Sequence, residues 1–100
     1  MQRMVTVLRE IISNNKAEDT ISGLEMFHRL ISNTAGNTEF KYQKIKFTNP
    51  KVASTVMTLK GGIEELFDVF EFEQIDEDYY LFSGDISELN QKKALLEKVI

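Results

Sequence analysis

Four lysines, Lys41, Lys44, Lys46 and Lys51, fall within residues 40–51, a stretch with no Asp or Glu. An ammonium group offers three donors and a full charge, which suits it to carboxylates. Tyr42 and Asn49 stand among these lysines. A phenol ring can wall an incoming aromatic side chain. A carboxamide both donates and accepts, so it can clamp a peptide backbone group. The chemistry available here is recognition, without bond breaking.

Reactive chemistry is sparse elsewhere. His28 is the only histidine, and its nearest carboxylate in helical spacing is Glu25, three residues back. It reads as a packing or surface histidine. No nucleophile elbow, phosphate loop or metal-ligand cluster is present. The run "QIDEDYYLFSGD" is rich in carboxylates but lacks the spacing and closing Glu of a calcium loop, so it reads as a solvated turn. The chain has no cysteine, which excludes disulfides and thiolate metal sites. The expectation is a domain with no catalytic residue, no metal and no cofactor. The lysines have a plain reading too: solvated charges beside a short strand, with Tyr42 half-buried and Asn49 a helix cap.

The totals constrain the partner. One hundred residues make one domain, spanning 1–100, and an apolar content of 42 % allows a real core. The net charge of −4 argues against a nucleic-acid partner, which asks for a basic face. The charge is also uneven. Residues 40–60 hold five lysines and no acid, while residues 64–78 hold eight acids and no Lys or Arg. A local basic surface on an acidic body suits a short acidic partner. The N-terminal "MQRMVTVLREIISNN" lacks the apolar run of a signal peptide, and no window reaches the ~20 apolar residues of a membrane span. A soluble domain of cytoplasm or nucleus is expected.

Helices must position these groups. Met1, Met4, Leu8 and Ile11 have helical spacing. Asn15 with Glu18 predicts a capped second helix over residues 16–32, with Ile21, Leu24, Phe27 (or His28) and Ile31 as its apolar stripe, ending at "SNTAGNTEF". "KYQKIKF" predicts a short turn and an extended segment. Thr48 or Asn49 caps a helix with Pro50 at its first position and Val52, Val56 and Leu59 inward, stopped at Gly61. Ile63, Leu66, Phe67 and Phe70 mark another short helix. Phe70, Phe72 and residues 79–82 flank "DED" as a hairpin. Asp85 and Glu88 form a capping box for a last helix carrying Leu89, Leu96, Val99 and Ile100. The fold class is α+β: a mostly helical single domain of about five helices with a small antiparallel sheet.

The ordered set "ISN" … "KYQKIKFTNP" … "VASTVMTLKGGIEELFDVFEFE" … "YYLF" resembles the PUB (or PUG) domain over residues 21–82. This family occurs in peptide:N-glycanase, in UBX-containing adaptors and in the catalytic subunit of the linear ubiquitin ligase. The resemblance implies an adaptor that binds the acidic, aromatic-bearing C-terminal tail of the AAA ATPase valosin-containing protein, or a similar acidic Tyr-containing peptide, in ubiquitin and ER-associated degradation pathways. It implies a peptide site of Asn33, Lys41, Tyr42, Lys46 and Asn49. The chain departs from the family pattern at four points. Gln43 and Lys46 stand where the family has Arg. "VFEFE" lacks the Gly-Phe step that often follows the amphipathic helix, which implies a different helix exit. "TAGNTE" carries a short insertion. Two other readings stay open: the N-terminal module of a peptide:N-glycanase whose catalytic domain lies outside these residues, and a structural helical domain with no peptide site.

Overall fold

The computed structural model describes residues 2–99. Met1 and Ile100, both expected to supply apolar surface, lie outside the described residues. Five helices and a three-stranded antiparallel sheet form one mostly helical α+β domain. The order is α1 (Gln2–Asn14), α2 (Ala17–Gly36), a 3-10 turn (Phe40–Gln43), β1 (Lys44–Lys46), α3 (Pro50–Thr55), α4 (Ile63–Val69), β2 (Phe72–Gln74), β3 (Tyr79–Phe82) and α5 (Ile86–Glu97). Among the described residues no helix is long and apolar enough to cross a membrane.

α1 buries Met4, Val7, Leu8 and Ile11, one helical stripe. Its C-terminal end is held by Asn15. That side chain donates to Ile11 O (2.7 Å) and Lys60 O (2.8 Å) and accepts from Lys60 N (3.0 Å). Asn15 therefore ties α1 to the loop before α4 and does not cap α2, as its place in the sequence suggests. Lys16 occupies the cap position without a side-chain bond, and Glu18 and Asp19 complement the helix dipole instead.

α2 runs to Gly36, four residues beyond the expected stop at Ser32. The reason is a set of partners for its last carbonyls, which have none within the helix. Asn37 Nδ2 donates to Asn33 O (2.8 Å), and Gln43 Nε2 donates to Thr34 O (3.2 Å) and Asn37 O (2.7 Å). The buried stripe of α2 is Thr20, Gly23, Leu24, Phe27, Ile31 and Thr34. Ile21 faces solvent, against expectation. Gly23 takes the inward position because α3 comes too close for a side chain: a Cβ there would lie 2.6 Å from Thr55 O.

Phe27 is the hub of the core, with the rings of Phe67 and Phe70 edge-on at 5.1 Å each. Val52, Val56 and Leu59 turn inward as expected, although the regular part of α3 ends at Thr55. The chain then turns through Gly61 (φ 100°) and Gly62 (φ 128°). A Cβ on Gly61 would lie 2.5 Å from Glu10 O, so glycine serves both conformation and close approach.

The sheet order is β1-β3-β2, which pairs Ile45 with Tyr80 and Phe72 with Phe82. Alternation sends Ile45, Phe72 and Tyr80 to the core, where Tyr80 stacks on Phe67 at 4.1 Å. The hairpin forms around the acidic turn, where Asp76 Oδ1 accepts from Asp78 N (2.7 Å) and Tyr79 N (2.8 Å). Phe70 belongs to the end of α4 and not to the strand. The α4 exit has a left-handed residue, Glu71 (φ 62°), the conformation a glycine adopts without strain. In α5, Leu89 and Leu96 are buried, while Val99 lies past the helix and is exposed. Asp85 forms no side-chain cap: its carboxylate accepts from Ser87 Oγ (2.6 Å), a shorter-range option that replaces the capping box.

Candidate functional site

The 3-10 turn carrying Lys41 and Tyr42 is fastened to α2. Thr34 is fully buried, and its hydroxyl donates to Tyr42 O at 2.7 Å. Gln43 adds the two bonds that cap α2. Leaving Thr34, the chain returns to α2 eleven residues earlier, at Gly23, where Thr55 packs. Eleven residues are about three helical turns, so Gly23 and Thr34 share a face of α2, roughly 16 Å apart. The segment from Gln43 to Thr55, which holds β1 and Asn49, thus begins and ends on this face of the helix.

The five expected residues fall into two groups along this path. Asn33 is exposed and lies within the last turn of α2, three residues before its end. Its backbone oxygen accepts from Asn37, while the thread through Thr34 brings Tyr42 to the same helix turn. Lys41 is exposed, 5.1 Å from the centre of the Tyr42 ring and 3.6 Å from the Glu39 carboxylate. An ion pair so open to water contributes at most about 1 kcal/mol. Tyr42 itself is half-buried.

Lys46 and Asn49 form the second group, beyond β1. Asn49 N donates to Lys46 O (3.2 Å), closing the turn between them. Asn49 Oδ1 accepts from Lys51 N (3.0 Å) and Val52 N (3.5 Å), so it caps α3. Its carbonyl oxygen is thus committed, and its NH2 group is what remains for a ligand. The acidic turn borders this group: Asp78 accepts from Phe47 N through its backbone oxygen (2.9 Å) and from Thr48 Oγ1 through its carboxylate (2.8 Å). Acidic groups thus stand at both ends of this path, Glu39 beside Lys41 and Asp78 on Thr48, while Lys44 has no ion pair with a carboxylate among the described residues.

Reasoning on the sequence left Thr34, Gln43 and Lys44 out of the site. Thr34 hides in a polar run that reads as a turn. Gln43 reads as a lost arginine, yet its amide completes the α2 terminus. Lys44 lies between two aromatic rings, its Nζ 4.7 Å from the centre of Tyr79 and 5.3 Å from that of Phe40. Strand alternation, which puts Lys44 and Lys46 on one side of β1, was the signal available for it.

Surface hollows lie at other residues. A groove of about 360 Å3 between α1 and α2 is lined by Ile12, Asn15, Thr20, Ile21, Leu24 and Val99, with Ala17. His28 meets a carboxylate that the sequence does not reveal, Glu97 of α5, at 2.9 Å. Among the described residues no group of His, Asp and Glu is placed to hold a metal ion. Compared with known proteins, the chain matches no family model and no curated protein.

Proposed function

We propose that this chain is a PUB-type peptide-binding domain whose ligand is the acidic, aromatic-bearing C-terminal tail of valosin-containing protein, or a peptide of the same chemistry. It acts as a non-catalytic adaptor in the cytoplasm. The observation that carries this reading is the Thr34–Tyr42 bond, which fastens the Lys-Tyr turn to the helix turn bearing Asn33. The ordered motifs resembling the family, and the acid-free run of lysines, support it further.

Lys41 and Lys46 supply charge for the ligand's carboxylates, Tyr42 supplies a wall for its aromatic ring, and Asn33 and Asn49 supply amide donors for its backbone. One buried ring and two or three exposed charge pairs fit an affinity near micromolar, about −8 kcal/mol. Titration calorimetry with an acidic peptide ending in an aromatic-Gly pair tests the reading. Tyr42→Ala should weaken binding by about 1–3 kcal/mol. Asn49→Ser keeps an oxygen for the α3 cap and removes the amide donors, so it separates binding from folding. Equal affinity for the wild type and both variants refutes the site.

A further inference from the structure

The open face of the sheet extends this surface. Register and alternation put Lys44, Lys46, Glu73, Tyr79 and Leu81 on the side of the sheet away from Ile45, Phe72 and Tyr80. Phe40 stands beside it, with 65 % of its surface exposed. Lys44, on the edge strand β1, lies between Phe40 and Tyr79. Its ammonium group is within 6 Å of both the Phe40 and Tyr79 ring centres, and no ion pair joins it to a carboxylate among the described residues. A surface lysine ordinarily loses side-chain freedom when it pairs with an anion. Contact with two rings has already restricted this one. It is a preorganised cation, flanked by apolar surface and lacking an anion.

We infer that Phe40, Lys44 and Tyr79 form a second subsite, which takes a carboxylate of the acidic peptide upstream of its aromatic residue. This inference rests on the peptide-binding reading above. Charge complementarity selects the occupant. A carboxylate can approach the Lys44 ammonium group from solvent, while the peptide's methylenes lie against the two rings. The position fits, because Lys44 falls between Lys41 and Lys46 in the chain and continues the cationic line from Tyr42. A single-stranded nucleic acid also uses aromatic rings and lysines. A polyanion crossing this sheet, however, meets Glu73 on the same face and Asp76, Glu77 and Asp78 at its end, so the short acidic peptide is favoured.

Fluorescence anisotropy on the whole domain tests the inference with two labelled synthetic peptides. Both end in Tyr-Gly. One carries a preceding run of Asp, the other the same run as Asn. Lys44→Gln, which keeps most of the stem, should weaken the Asp peptide by about three- to tenfold and leave the Asn peptide unchanged. Lys44→Arg should restore the Asp peptide, since a guanidinium also stacks on aromatic rings. Tyr42→Ala should weaken both peptides. If Lys44→Gln leaves the Asp peptide unchanged while Tyr42→Ala weakens it, the subsite is refuted and the peptide-binding reading stands. If the wild type binds neither peptide, that reading fails and the subsite with it. If a labelled uridine oligomer binds more tightly than the Asp peptide and depends on Lys44, the proposed occupant is wrong.

Discussion

Glu71 is the one non-glycine residue with positive φ among the described residues, at 62°. For an L-residue this conformation costs roughly 1–2 kcal/mol, because Cβ crowds the following carbonyl. Glycine would remove that cost and add back about 0.4–1 kcal/mol of unfolded-chain entropy. The backbone bonds at this position do not depend on the side chain: Glu71 N donates to Asp68 O (2.9 Å), and Glu71 O accepts from Ser83 N (2.8 Å) and Ser83 Oγ (3.1 Å). The glutamate side chain packs over Gly84, which leaves it room: a Cβ on Gly84 would lie 2.8 Å from Glu71 Cβ. The net effect of Glu71→Gly is a gain of about 0.5–1 kcal/mol, a rise of roughly 2–8 °C in Tm. Thermal melts followed by circular dichroism, with urea titration as a second measure, read this directly. Glu71→Ala is the control, since it removes the same charge and bulk but keeps Cβ and the strain. It should melt below Glu71→Gly. If Glu71→Gly melts at or below Glu71→Ala, the left-handed exit of α4 does not exist as described, and the argument from it collapses.

Three other perturbations probe the parts that position the site. Thr34→Val keeps the shape of a fully buried side chain but orphans Tyr42 O, and should cost about 1–3 kcal/mol, whereas Thr34→Ser should recover most of it; equal urea midpoints for all three proteins would count against the clamp. Gly61→Ala needs φ 100° and puts Cβ 2.5 Å from Glu10 O, so it should lose more than about 2 kcal/mol, and a melt matching wild type would contradict that approach. Burial raises the Tyr80 phenol above its ordinary 10.0, with Glu64 and then Glu65 adding repulsion. The folded state then holds a proton that the unfolded chain has lost, so stability falls as pH rises from 10.0 through the folded value. Tyr80→Phe should flatten this alkaline limb of the urea midpoint, and an unchanged limb would assign it to other groups.

Periodic apolar residues made the helices readable in advance. Met4, Leu8 and Ile11 in α1, or Val52, Val56 and Leu59 around α3, obey spacing that only an inward face explains. The hairpin was readable because β-prone residues flank a turn whose Asp76 can bond its own backbone. Helix ends were not. Asn15 has the composition of a cap, and nothing local reveals that Lys60, forty-five residues away, will claim both ends of its amide. The same holds for α2, whose last turn exists because Gln43 reaches back to Thr34 O. Asp85 fails as a cap for a more local reason: Ser87 offers its hydroxyl at 2.6 Å. Caps depend on which partner arrives, and long-range partners leave no periodic trace.

For the site, residue type was legible and orientation was not. The sequence marks Lys41, Tyr42, Lys46 and Asn49 as a basic, aromatic and amide-bearing group, but it is silent on how the acidic turn divides them. Asp78 lies against Thr48 and the Phe47 amide, near Lys46 and far along the strand from Lys41. At the other end Glu39 lies 3.6 Å from the Lys41 ammonium group, so a carboxylate competes with an acidic ligand at each end of the path, while Lys44 between them has no ion pair among the described residues. Attraction is therefore greatest in the middle of the run, at Lys44. An acidic peptide gains most by laying a charged residue over Lys44, leaving Asn49, with its oxygen committed to α3, to donate from its NH2 group to a neutral backbone carbonyl. The hairpin that completes the sheet thus supplies, through Asp78, one of the two acidic borders of the surface it supports.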